Sequence, residues 1–555
     1  MKTIGLLAPP GTFLGDVATG GTGIVVGRAV ANTGFVRALA RYGSFERFRF
    51  FVGETSDVAQ LEATWLGTGG MPRERFAVEN LLALPEAMAT GAVDVMHLGA
   101  FGPAFSDLVF LRDKYARAAL PVTAQIHSLS YPRFVADYLR AWLHPPGLGD
   151  AIFCSSEAGR GAVAACFGEA ARALGRAAGQ APCALPVVPL GVDADAAGPG
   201  TSHDEARRAT RARLKLPADA VVALGLGRFT EYDKMDLFPL LQTFRAVVDQ
   251  INDRAQAPYL LLAGARQGTK TPEMVMLWAK MLGIADRVVL EIDVAEAEKA
   301  RLLAAADLFV SPSDNLQETF GISVVEAMAA GLPVVVSDFD GYKDTVDETV
   351  GIRVPTRLAT GLERLAELST LLYERPLHLF LGQAVEIDLP ALEAALFALV
   401  TDEGRRKTLG ANARARARTR YDWKVVIAEY EKVWDELRRA APARVRPGAD
   451  AKPPLAMDFE AIFAGFPSGA RDDNRVVART TLADRLTGQG KNQYLVYPEL
   501  RNIFGDEDVL AVLSALSRPM TLTELAAADA AVRPHFAEWR RGHLLAWLQK
   551  HGLIG

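Results

Sequence analysis

Two glutamates flank a short apolar segment at the predicted junction of a loop and a helix. Residues 318–326 read Glu-Thr-Phe-Gly-Ile-Ser-Val-Val-Glu. A helix that begins near Gly321 leaves the backbone amides of Gly321 and Ile322 unpaired, and the positive end of its dipole favours a phosphate oxygen there. Glu318 stays in the loop before the helix, whereas Glu326 lies on about the first turn. The pattern therefore predicts a phosphate-binding helix start beside two carboxylates with different tasks.

Taken alone, such a pair of glutamates is more often two solvated acids. The whole segment, however, resembles the Glu-x7-Glu motif of the retaining GT-B glycosyltransferases of family 4, commonly Glu-x-Phe-Gly-Leu/Ile-x-x-x-Glu, and it meets every fixed position. The resemblance implies that Glu318 binds donor-sugar hydroxyls and that Glu326 binds the ribose diol of the nucleotide. It also implies that the backbone of Phe320, Gly321 and Ile322 lines the diphosphate and sugar. The usual proposal for this family is a front-face displacement, so Glu318 is expected to orient and stabilise charge.

Two cations follow a predicted strand earlier in the chain. Residues 227–229 read Gly-Arg-Phe, and Lys234 stands six positions after Arg228. A leaving nucleoside diphosphate gains negative charge as the glycosidic bond breaks, and two fixed cations can stabilise that charge without a metal ion. Arg228 and Lys234 are the candidates, in the order that the family shows, although each alone could be a surface cation. Met235 stands where the family usually has glycine.

The first half of the chain supplies further matches to the same family. Gly20 and Gly21 lie in a glycine-rich loop after the first strand, like the family loop whose amides approach phosphate or acceptor. His127 follows a predicted strand, like the family's histidine near the donor sugar, although a lone histidine there is often structural. Residues 189–193, Pro-Leu-Gly-Val-Asp, resemble the family's interdomain element, and Trp423 is expected to pack under a crossover helix.

No metal or other cofactor is expected besides the sugar nucleotide as co-substrate. Asp338 and Asp340 form an Asp-x-Asp pair like the metal-binding motif of another glycosyltransferase fold. They follow a predicted strand, however, at a loop that ends in Gly341 and that the family places near the donor. The three cysteines have no metal-ligand spacing and favour a reducing compartment.

Short apolar strands alternate with longer helical patterns over about 350 residues, which is the signature of βαβ units and parallel sheets. The fold class is therefore α/β, and the resemblance specifies a GT-B fold with two Rossmann-like doubly wound domains facing a cleft. Ligands bind at the carboxyl ends of the strands in such folds. The predicted strands are Thr3–Ala8, Arg49–Val52, Val93–Leu98, Val122–Ile126, Ala151–Cys154, Val221–Leu226, Tyr259–Ala263, Val288–Glu291, Leu308–Val310 and Pro333–Ser337.

The composition of the linking segments and the resemblance together suggest five parts of the chain. Residues 356–382 exceed the family pattern and are interpreted as an insertion that packs locally or shapes a partner surface. The C-terminal part is mainly helical and winged-helix-like, with a capping box at Thr521 and Glu524. The predicted parts are an acceptor-side domain (1–200), a nucleotide-sugar-binding domain (201–420), a crossover helix (421–439), a linker (440–455) and a helical accessory domain (456–555).

Composition excludes some classes of partner. The net charge is -5, with 61 Lys and Arg against 66 Asp and Glu, so nucleic-acid binding is not expected. No apolar run approaches a membrane span, and residues 1–8 predict a strand rather than a signal peptide. We therefore expect a cytoplasmic protein. Residues 456–555 are expected to mediate oligomerisation or acceptor docking.

The sequence predicts a metal-independent, retaining, hexosyltransferase-type enzyme that moves a sugar from a nucleoside diphosphate sugar to an unidentified acceptor, which could be a glycan, lipid, small molecule or protein. One alternative is a GT-B sugar-nucleotide epimerase or hydrolase, and another is a non-catalytic recognition protein on the same scaffold. The complete motif favours transfer. The base, the sugar and the acceptor stay open, because variable loops contact them.

Overall fold

The computed structural model describes residues 2–13, 27–54, 56–68, 70–177, 179–194, 202–251, 257–440, 446–469, 472–487 and 496–555. The chain divides into two compact units. The first contains Met1–Phe50, Ala63–Ala77 and Met88–Pro454. The second contains Phe51–Glu62, Val78–Ala87 and Leu455–Gly555.

The first sheet has six strands in the order β3-β2-β1-β4-β5-β6. Strand β1 pairs in parallel with β4, β4 with β5, and β5 with β6. The strands are β1 Thr3–Leu7, β2 Arg47–Val52, β3 Phe76–Asn80, β4 Val95–Leu98, β5 Val122–Gln125 and β6 Ala151–Phe153. The connecting helices are Gly27–Tyr42, Ser56–Glu62, Leu84–Ala89, Pro103–Tyr115, Val135–Leu143 and Glu157–Ala173.

The second sheet has six parallel strands in the order β12-β11-β10-β7-β8-β9. These are β7 Val222–Leu226, β8 Tyr259–Gly264, β9 Val288–Ile292, β10 Leu308–Ser311, β11 Val334–Ser337 and β12 Gly351–Val354. Its helices are His203–Arg213, Leu237–Gln250, Thr271–Met281, Glu296–Ala305, Ile322–Ala329, Tyr342–Thr345, Leu389–Thr401 and Glu403–Arg416.

Both sheets have the doubly wound strand order, in which the order reverses once. The reversal lies between β1 and β4 in the first sheet and between β7 and β10 in the second. All ten predicted strands are present, with bounds that shift by at most two residues, because a strand covered on both faces is a continuous apolar run. The prediction missed two of the four edge strands, β3 and β12, in which charged or polar residues interrupt the apolar run. The predicted α/β fold with two Rossmann-like sheets is confirmed.

The chain returns to the first sheet after the second one. A π-helical turn, Ala417–Tyr421, leads into the helix Trp423–Ala440. Trp434 and Tyr430 of this helix are fully buried against Phe35, and Trp434 Nε1 donates to Thr123 Oγ1 of β5 at 3.2 Å. Trp423 packs so closely on Gly191 that a Cβ there would overlap its ring.

The predicted insertion forms a small excursion between β12 and the helix Leu389–Thr401. Strand β13, Thr356–Leu358, pairs antiparallel with β14, Val385–Ile387. Two helices connect these strands: Glu363–Leu368 and Glu374–Gly382. The excursion therefore starts and ends at the same edge of the second sheet.

The C-terminal residues of the second unit are mainly helical around one apolar core, which includes Leu513, Leu525, Leu544 and Leu548. Thr521 Oγ1 accepts from the Glu524 amide at 3.1 Å and Glu524 Oε2 accepts from the Thr521 amide at 2.8 Å, so the predicted capping box is present. Strand β15, Val476–Val477, pairs antiparallel with β16, Met520–Thr521. The helices are Phe459–Ile462, Thr481–Thr487, Asp506–Ala515, Leu522–Val532 and Glu538–Lys550.

A search of the described helices for a span long and apolar enough to cross a membrane finds none.

A buried ion pair ties the helix Pro103–Tyr115 to the start of β6. Arg112 Nη1 and Nη2 lie 2.7 and 2.9 Å from the two carboxylate oxygens of Asp150. The two side chains are 7% and 0% exposed. Asp150 also accepts from the Val122 amide of β5 at 3.0 Å. The Arg112–Asp150 pair therefore holds the helix Pro103–Tyr115, β5 and β6 together at the amino-terminal ends of these strands.

We predict that Arg112→Ala lowers the free energy of unfolding by about 3–5 kcal/mol, because it leaves the Asp150 carboxylate buried without its cation. Chemical denaturation followed by circular dichroism measures the change. The matched control is Arg364→Ala, which removes an exposed pair with Glu367 and should cost less than about 0.5 kcal/mol. An Arg112 variant as stable as this control would contradict the prediction.

Candidate active site

The predicted cations and the first glutamate meet where the strand order of the second sheet reverses. Arg228 is the second residue after β7, and the loop that carries Glu318 follows β10. Strands β7 and β10 are neighbours in the sheet. From β7 the strand order proceeds to one edge through β8, and from β10 it proceeds to the other edge through β11, so a crevice opens at their carboxyl ends. The fold therefore brings residues that are far apart in sequence to one ligand-binding position.

A charged pair joins the two loops. Lys234 Nζ donates to Glu318 Oε2 at 2.9 Å, and the Lys234 side chain is only 9% exposed. Glu318 Oε1 accepts from the Gly321 amide at 2.9 Å and from the Phe320 amide at 3.4 Å. Burial alone would raise the pKa of Glu318, but Lys234 and these two amides lower it below its usual value. Burial alone would lower the pKa of Lys234, but Glu318 raises it above its usual value. Both groups are charged at neutral pH.

The start of the helix Ile322–Ala329 differs in two details from the sequence analysis. The Gly321 amide, expected to face a phosphate, donates to Glu318 in this structure. Glu326 is the fifth residue of the helix and so lies on the second turn rather than the first. The helix starts at Ile322 as expected and ends as a Schellman motif, with Gly331 in the left-handed region at φ 87°.

Gly321 is needed for packing as well as for backbone geometry. Its φ of 87° lies in the left-handed region, and an added Cβ would overlap the ring of Tyr342. Tyr342 is fixed in turn by a hydrogen bond of 2.9 Å between its hydroxyl and Ser311 Oγ at the end of β10. A Cβ at Gly341 would overlap the carbonyl of Thr319. Two glycines thus allow the loops after β10 and β11 to lie against each other.

Arg228 is held by its own loop. Its Nη1 lies 2.8 Å from Asp233 Oδ2, and its Nη2 donates to the Asp233 carbonyl at 3.1 Å. The loop is anchored to the residues after β10, because Ser313 Oγ donates to the Lys234 carbonyl at 3.2 Å and Asn315 Nδ2 donates to the Tyr232 carbonyl at 2.6 Å. The guanidinium therefore has a fixed orientation.

Asp314 lies beneath the same loop. Its two carboxylate oxygens are 3.3 and 3.2 Å from the amide of Asp236, which caps the helix Leu237–Gln250. Burial raises the pKa of Asp314 to about 7, although the Asp236 amide partly offsets that effect. Asp314 therefore changes charge near neutral pH next to the loop that carries Lys234.

Glu326 lines a separate part of the cleft. Its Oε1 lies 3.7 Å from Lys299 Nζ. Together with Ile322, it borders a cavity of about 480 Å³ that also includes residues of the helix Gly27–Tyr42 of the first sheet. Glu318 and Glu326 thus face different surroundings, one in a charged pair beside the helix start and the other in a cavity between the two sheets.

Thr319 of the glutamate motif forms hydrogen bonds with residues that follow strands of the first sheet. Thr319 Oγ1 donates to the His127 carbonyl at 2.7 Å, and Ser156 Oγ donates to the Thr319 carbonyl at 2.8 Å. His127 Nε2 lies 2.7 Å from the Gly99 carbonyl and 3.0 Å from Asn32 Oδ1. Because both partners are oxygen acceptors, Nε2 carries the proton and Nδ1 keeps a lone pair. Burial lowers the pKa of His127 to about 4, so the ring is neutral.

The insertion also meets the first sheet's loops. His378 Nε2 lies 3.0 Å from Ser130 Oγ, its ring centroid lies 4.6 Å from that of Tyr131, and Glu374 pairs with Arg133. Tyr131 in turn accepts from the side chain of Gln317, next to Glu318. The insertion therefore borders the same cleft as the glutamate motif.

The structure thus brings together most of the predicted site residues: Glu318, Lys234, Arg228, His127, Phe320, Gly321, Ile322 and Glu326. Gly20 and Gly21 lie outside the described residues. The sequence analysis missed Thr319, Ser156 and Tyr131 as residues of the cleft. Ser156 had a usable signal, because it is a polar residue just after a buried strand. The other two had none.

The Asp-x-Asp pair divides between two environments. Asp338 Oδ1 lies 3.1 Å from Arg353 Nη1. Asp340 Oδ2 is inaccessible to solvent and has no hydrogen-bond partner among the described residues. In the described part of the chain, no group of three or more His, Cys, Asp or Glu side chains is arranged to hold a metal ion.

Comparison with known proteins identifies part of the chain. Residues 206–375 match the family model for glycosyl transferases group 1. One similar protein is the D-inositol 3-phosphate glycosyltransferase of Kineococcus radiotolerans, 34% identical over 145 residues, which are 26% of this chain and 32% of that protein. The protein of the same name from Streptomyces coelicolor is 33% identical over 130 residues, 23% of this chain and 27% of that protein. The chain matches about a third or less of the length of these relatives.

Solved structures with the same fold cover most of the chain. A glycosyltransferase from Rickettsia africae aligns with a TM-score of 0.53 at 13% identity, over 79% of this chain and 99% of its own. The N-terminal domain of Candida albicans trehalose-6-phosphate phosphatase gives 0.53 at 12% identity, over 78% and 97%. The Anabaena protein HepE in complex with UDP gives 0.50 at 17% identity, over 78% and 100%. These identities establish the fold alone. The chain therefore has the GT-B fold, and its residues 206–375 are similar to the glycosyl transferases group 1 family.

Proposed function

We propose that the protein is a glycosyltransferase that transfers a sugar from a nucleoside diphosphate sugar to an acceptor, with retention of configuration and without a metal ion. The observation that carries this proposal is the Lys234–Glu318 pair, which fixes a cation and a carboxylate at the start of a helix, where the strand order reverses. The complete glutamate motif supports transfer over epimerisation or simple hydrolysis.

The diphosphate is assigned to the positive side of this arrangement. The Arg228 side chain is 29% exposed and forms an ion pair with Asp233. Lys234 is the residue directly after Asp233 in the chain. The helix Ile322–Ala329 directs the positive end of its dipole to the same crevice. Charges that are fixed before the reaction stabilise a leaving group without reorganisation during bond cleavage. This geometry fits the departure of a nucleoside diphosphate.

The donor sugar is assigned to the space beside Glu318 and His127. Glu318 is ionised, and the lone pairs that Lys234 and the backbone amides do not occupy can accept hydrogen bonds from sugar hydroxyls. Neutral His127 offers Nδ1 as an acceptor, because Nε2 donates to Gly99. A carboxylate stabilised in this way is a weak nucleophile, which supports an orienting and electrostatic role for Glu318 in a front-face displacement.

The acceptor is assigned to the first sheet's loops and the insertion, where Tyr131 and His378 border the cleft. The relatives are named for D-inositol 3-phosphate, but the match covers only about a third of their length. A phosphorylated cyclitol is therefore one member of the acceptor panel rather than the assigned acceptor.

The direct test is a mass-spectrometric screen of the purified protein against UDP-, GDP- and ADP-sugars with a panel of acceptors. We expect release of one nucleoside diphosphate together with a glycosylated product, and unchanged activity in the presence of EDTA. The anomeric configuration of the product, read by NMR, tests retention. Release of free sugar alone would favour hydrolysis, and no binding or turnover of any sugar nucleotide would contradict the proposal.

We predict that Glu326→Gln weakens binding of the cognate nucleoside diphosphate by roughly 10- to 100-fold, because a charged acceptor for the ribose diol is lost. Isothermal titration calorimetry measures this loss. The 2′-deoxynucleotide should bind wild type and variant with similar affinity, since it lacks one of the hydroxyls involved. The control Glu403→Gln changes an exposed glutamate that pairs with Lys407. Equal affinities of wild type and Glu326→Gln for the ribonucleotide would refute the ribose assignment.

We predict that Arg228→Ala lowers kcat by roughly 100- to 1000-fold, the usual cost of removing one preorganised group that stabilises developing charge. Asp233→Asn should lower kcat less, because Arg228 keeps its hydrogen bond to the Asp233 carbonyl. Steady-state kinetics at saturating donor measure both effects. An Arg228→Ala enzyme with wild-type turnover would rule out the leaving-group role.

A further inference from the structure

The two helices of the insertion differ in how they pack. The helix Glu374–Gly382 buries Leu377 and His378, whereas the helix Glu363–Leu368 has no buried residue. The insertion leaves the second sheet after β12 and returns through β14, so neither helix is one of the crossovers that connect the parallel strands. The buried face of the helix Glu374–Gly382 therefore packs on something other than its own βαβ unit.

His378 connects this helix to the loop after β5 of the first sheet, residues 126–131. Its Nε2 lies 3.0 Å from Ser130 Oγ and 3.3 Å from the Ser130 carbonyl oxygen, and the side chain is 2% exposed. Burial lowers the pKa of His378, so the neutral ring carries one N–H. Because a carbonyl oxygen can only accept, that proton lies on Nε2. His378 therefore donates to the backbone of a loop that belongs to the other sheet.

The same loop carries His127, the residue assigned to the donor sugar. The His127 carbonyl accepts from Thr319 Oγ1 at 2.7 Å, and the Tyr131 hydroxyl accepts from the side chain of Gln317. Both donors belong to the segment around the first glutamate of the motif. The loop after β5 is thus held by three contacts from the second sheet's side, two from the glutamate segment and one from the insertion.

The helix Glu374–Gly382 also contacts the loop that carries the two predicted cations. Gln383, directly after the helix, donates from Nε2 to Asp236 Oδ2 at 3.0 Å. The Arg375 guanidinium lies 5.0 Å from the centroid of the Tyr232 ring. Tyr232 and Asp236 stand on either side of Lys234 in the chain. One short helix therefore touches the loops after β5 and β7.

The separation of these two loops matters for the proposed reaction. They follow strands of different sheets, so no ladder of backbone hydrogen bonds fixes the distance between them. Domains joined in this way move relative to each other unless contacts restrict them. A misplacement of about 1 Å can lower a rate by on the order of 100-fold. A helix in contact with both loops restricts that displacement.

We propose that His378 is a positioning residue: through Ser130 it holds the loop after β5, and with it His127, at a fixed distance from the loop that carries Arg228 and Lys234. The catalytic consequence rests on the proposed function, because a sugar nucleotide between these loops is what requires that distance. His378 acts through Ser130 and is not itself assigned a contact with the nucleotide or the sugar. The insertion, which exceeds the family pattern, thereby takes part in arranging the site.

Hydrogen–deuterium exchange read by mass spectrometry tests the positioning without any substrate. His378→Ala should raise the exchange rate of the peptide 126–134 by roughly three- to tenfold, the effect of losing about one hydrogen bond that opposes local opening. His378→Gln keeps an N–H donor and should stay within about twofold of wild type. The matched control is Glu374→Gln, which weakens an exposed ion pair with Arg133 between the same two elements and should leave the rate unchanged.

Steady-state kinetics with the donor and acceptor found in the screen provide a second readout. His378→Ala should lower kcat by roughly 10- to 100-fold, because the reacting groups lose their fixed separation. Its affinity for the free nucleoside diphosphate, measured by calorimetry, should stay within about twofold of wild type, since the residues assigned to the diphosphate and ribose all belong to the second sheet's side. His378→Gln should recover most of the lost kcat, which distinguishes a hydrogen bond from mere packing.

Ser130→Ala removes one acceptor from the other side of the contact, and it should change exchange and kcat in the same direction by a smaller factor. This variant decides the question if His378→Ala does not fold. Unchanged exchange of the peptide 126–134 in both variants, or equal losses of kcat in His378→Ala and His378→Gln, would overturn the inference while the proposed function stands. Failure of wild type to bind or turn over any sugar nucleotide would instead contradict the proposed function, and the exchange rates would still show whether His378 holds the loop.

Discussion

The hydrogen-bonded ion pair of Lys234 and Glu318 is the interaction on which the candidate site depends. It connects the loops after β7 and β10, two strands that are neighbours in the sheet but belong to separate βαβ units. Each charge is retained in a buried position only because the other is present, since an isolated buried ion would neutralise. The carboxylate also accepts from the amides of Phe320 and Gly321, which immediately precede the helix Ile322–Ala329. One pair therefore fixes a cation, a carboxylate and a helix start relative to each other.

Close backbone packing also positions the neighbouring loops of the cleft relative to this ion pair. Gly321 and Gly341 let the loops after β10 and β11 touch, and Tyr342 fills the space between them. Thr319 then carries hydrogen bonds to His127 and Ser156 of the first sheet. The Glu318 segment is consequently held from both sheets. Such rigidity suits a site that works by orienting a sugar nucleotide and stabilising charge rather than by covalent catalysis.

The sequence predicted those elements and residues whose positions depend on short segments of the chain, and it missed those that depend on contacts between distant segments. Most of the ten predicted strands are buried, and burial on both faces demands a continuous apolar run. The partly exposed edge strand β9 was predictable because Val288–Leu290 is itself an apolar run. The edge strands β3 and β12 carry polar, partly exposed residues and gave no such pattern. The predicted site residues at strand ends and at the helix start were found from the strand positions together with the resemblance to the family motifs. Thr319 and Tyr131 take their roles from contacts with distant segments, so no local pattern could indicate them.

The sequence by itself determined two doubly wound sheets, the glutamate motif at a helix start and the two cations after β7, because strand burial, helix capping and charge are properties of short segments. Only the tertiary structure decided that Lys234 pairs with Glu318, that the Gly321 amide donates to that carboxylate, and that Asp338 and Asp340 lie in different environments. Protonation states and hydrogen-bond partners depend on burial and on distances between loops that the chain brings together only when both sheets have formed.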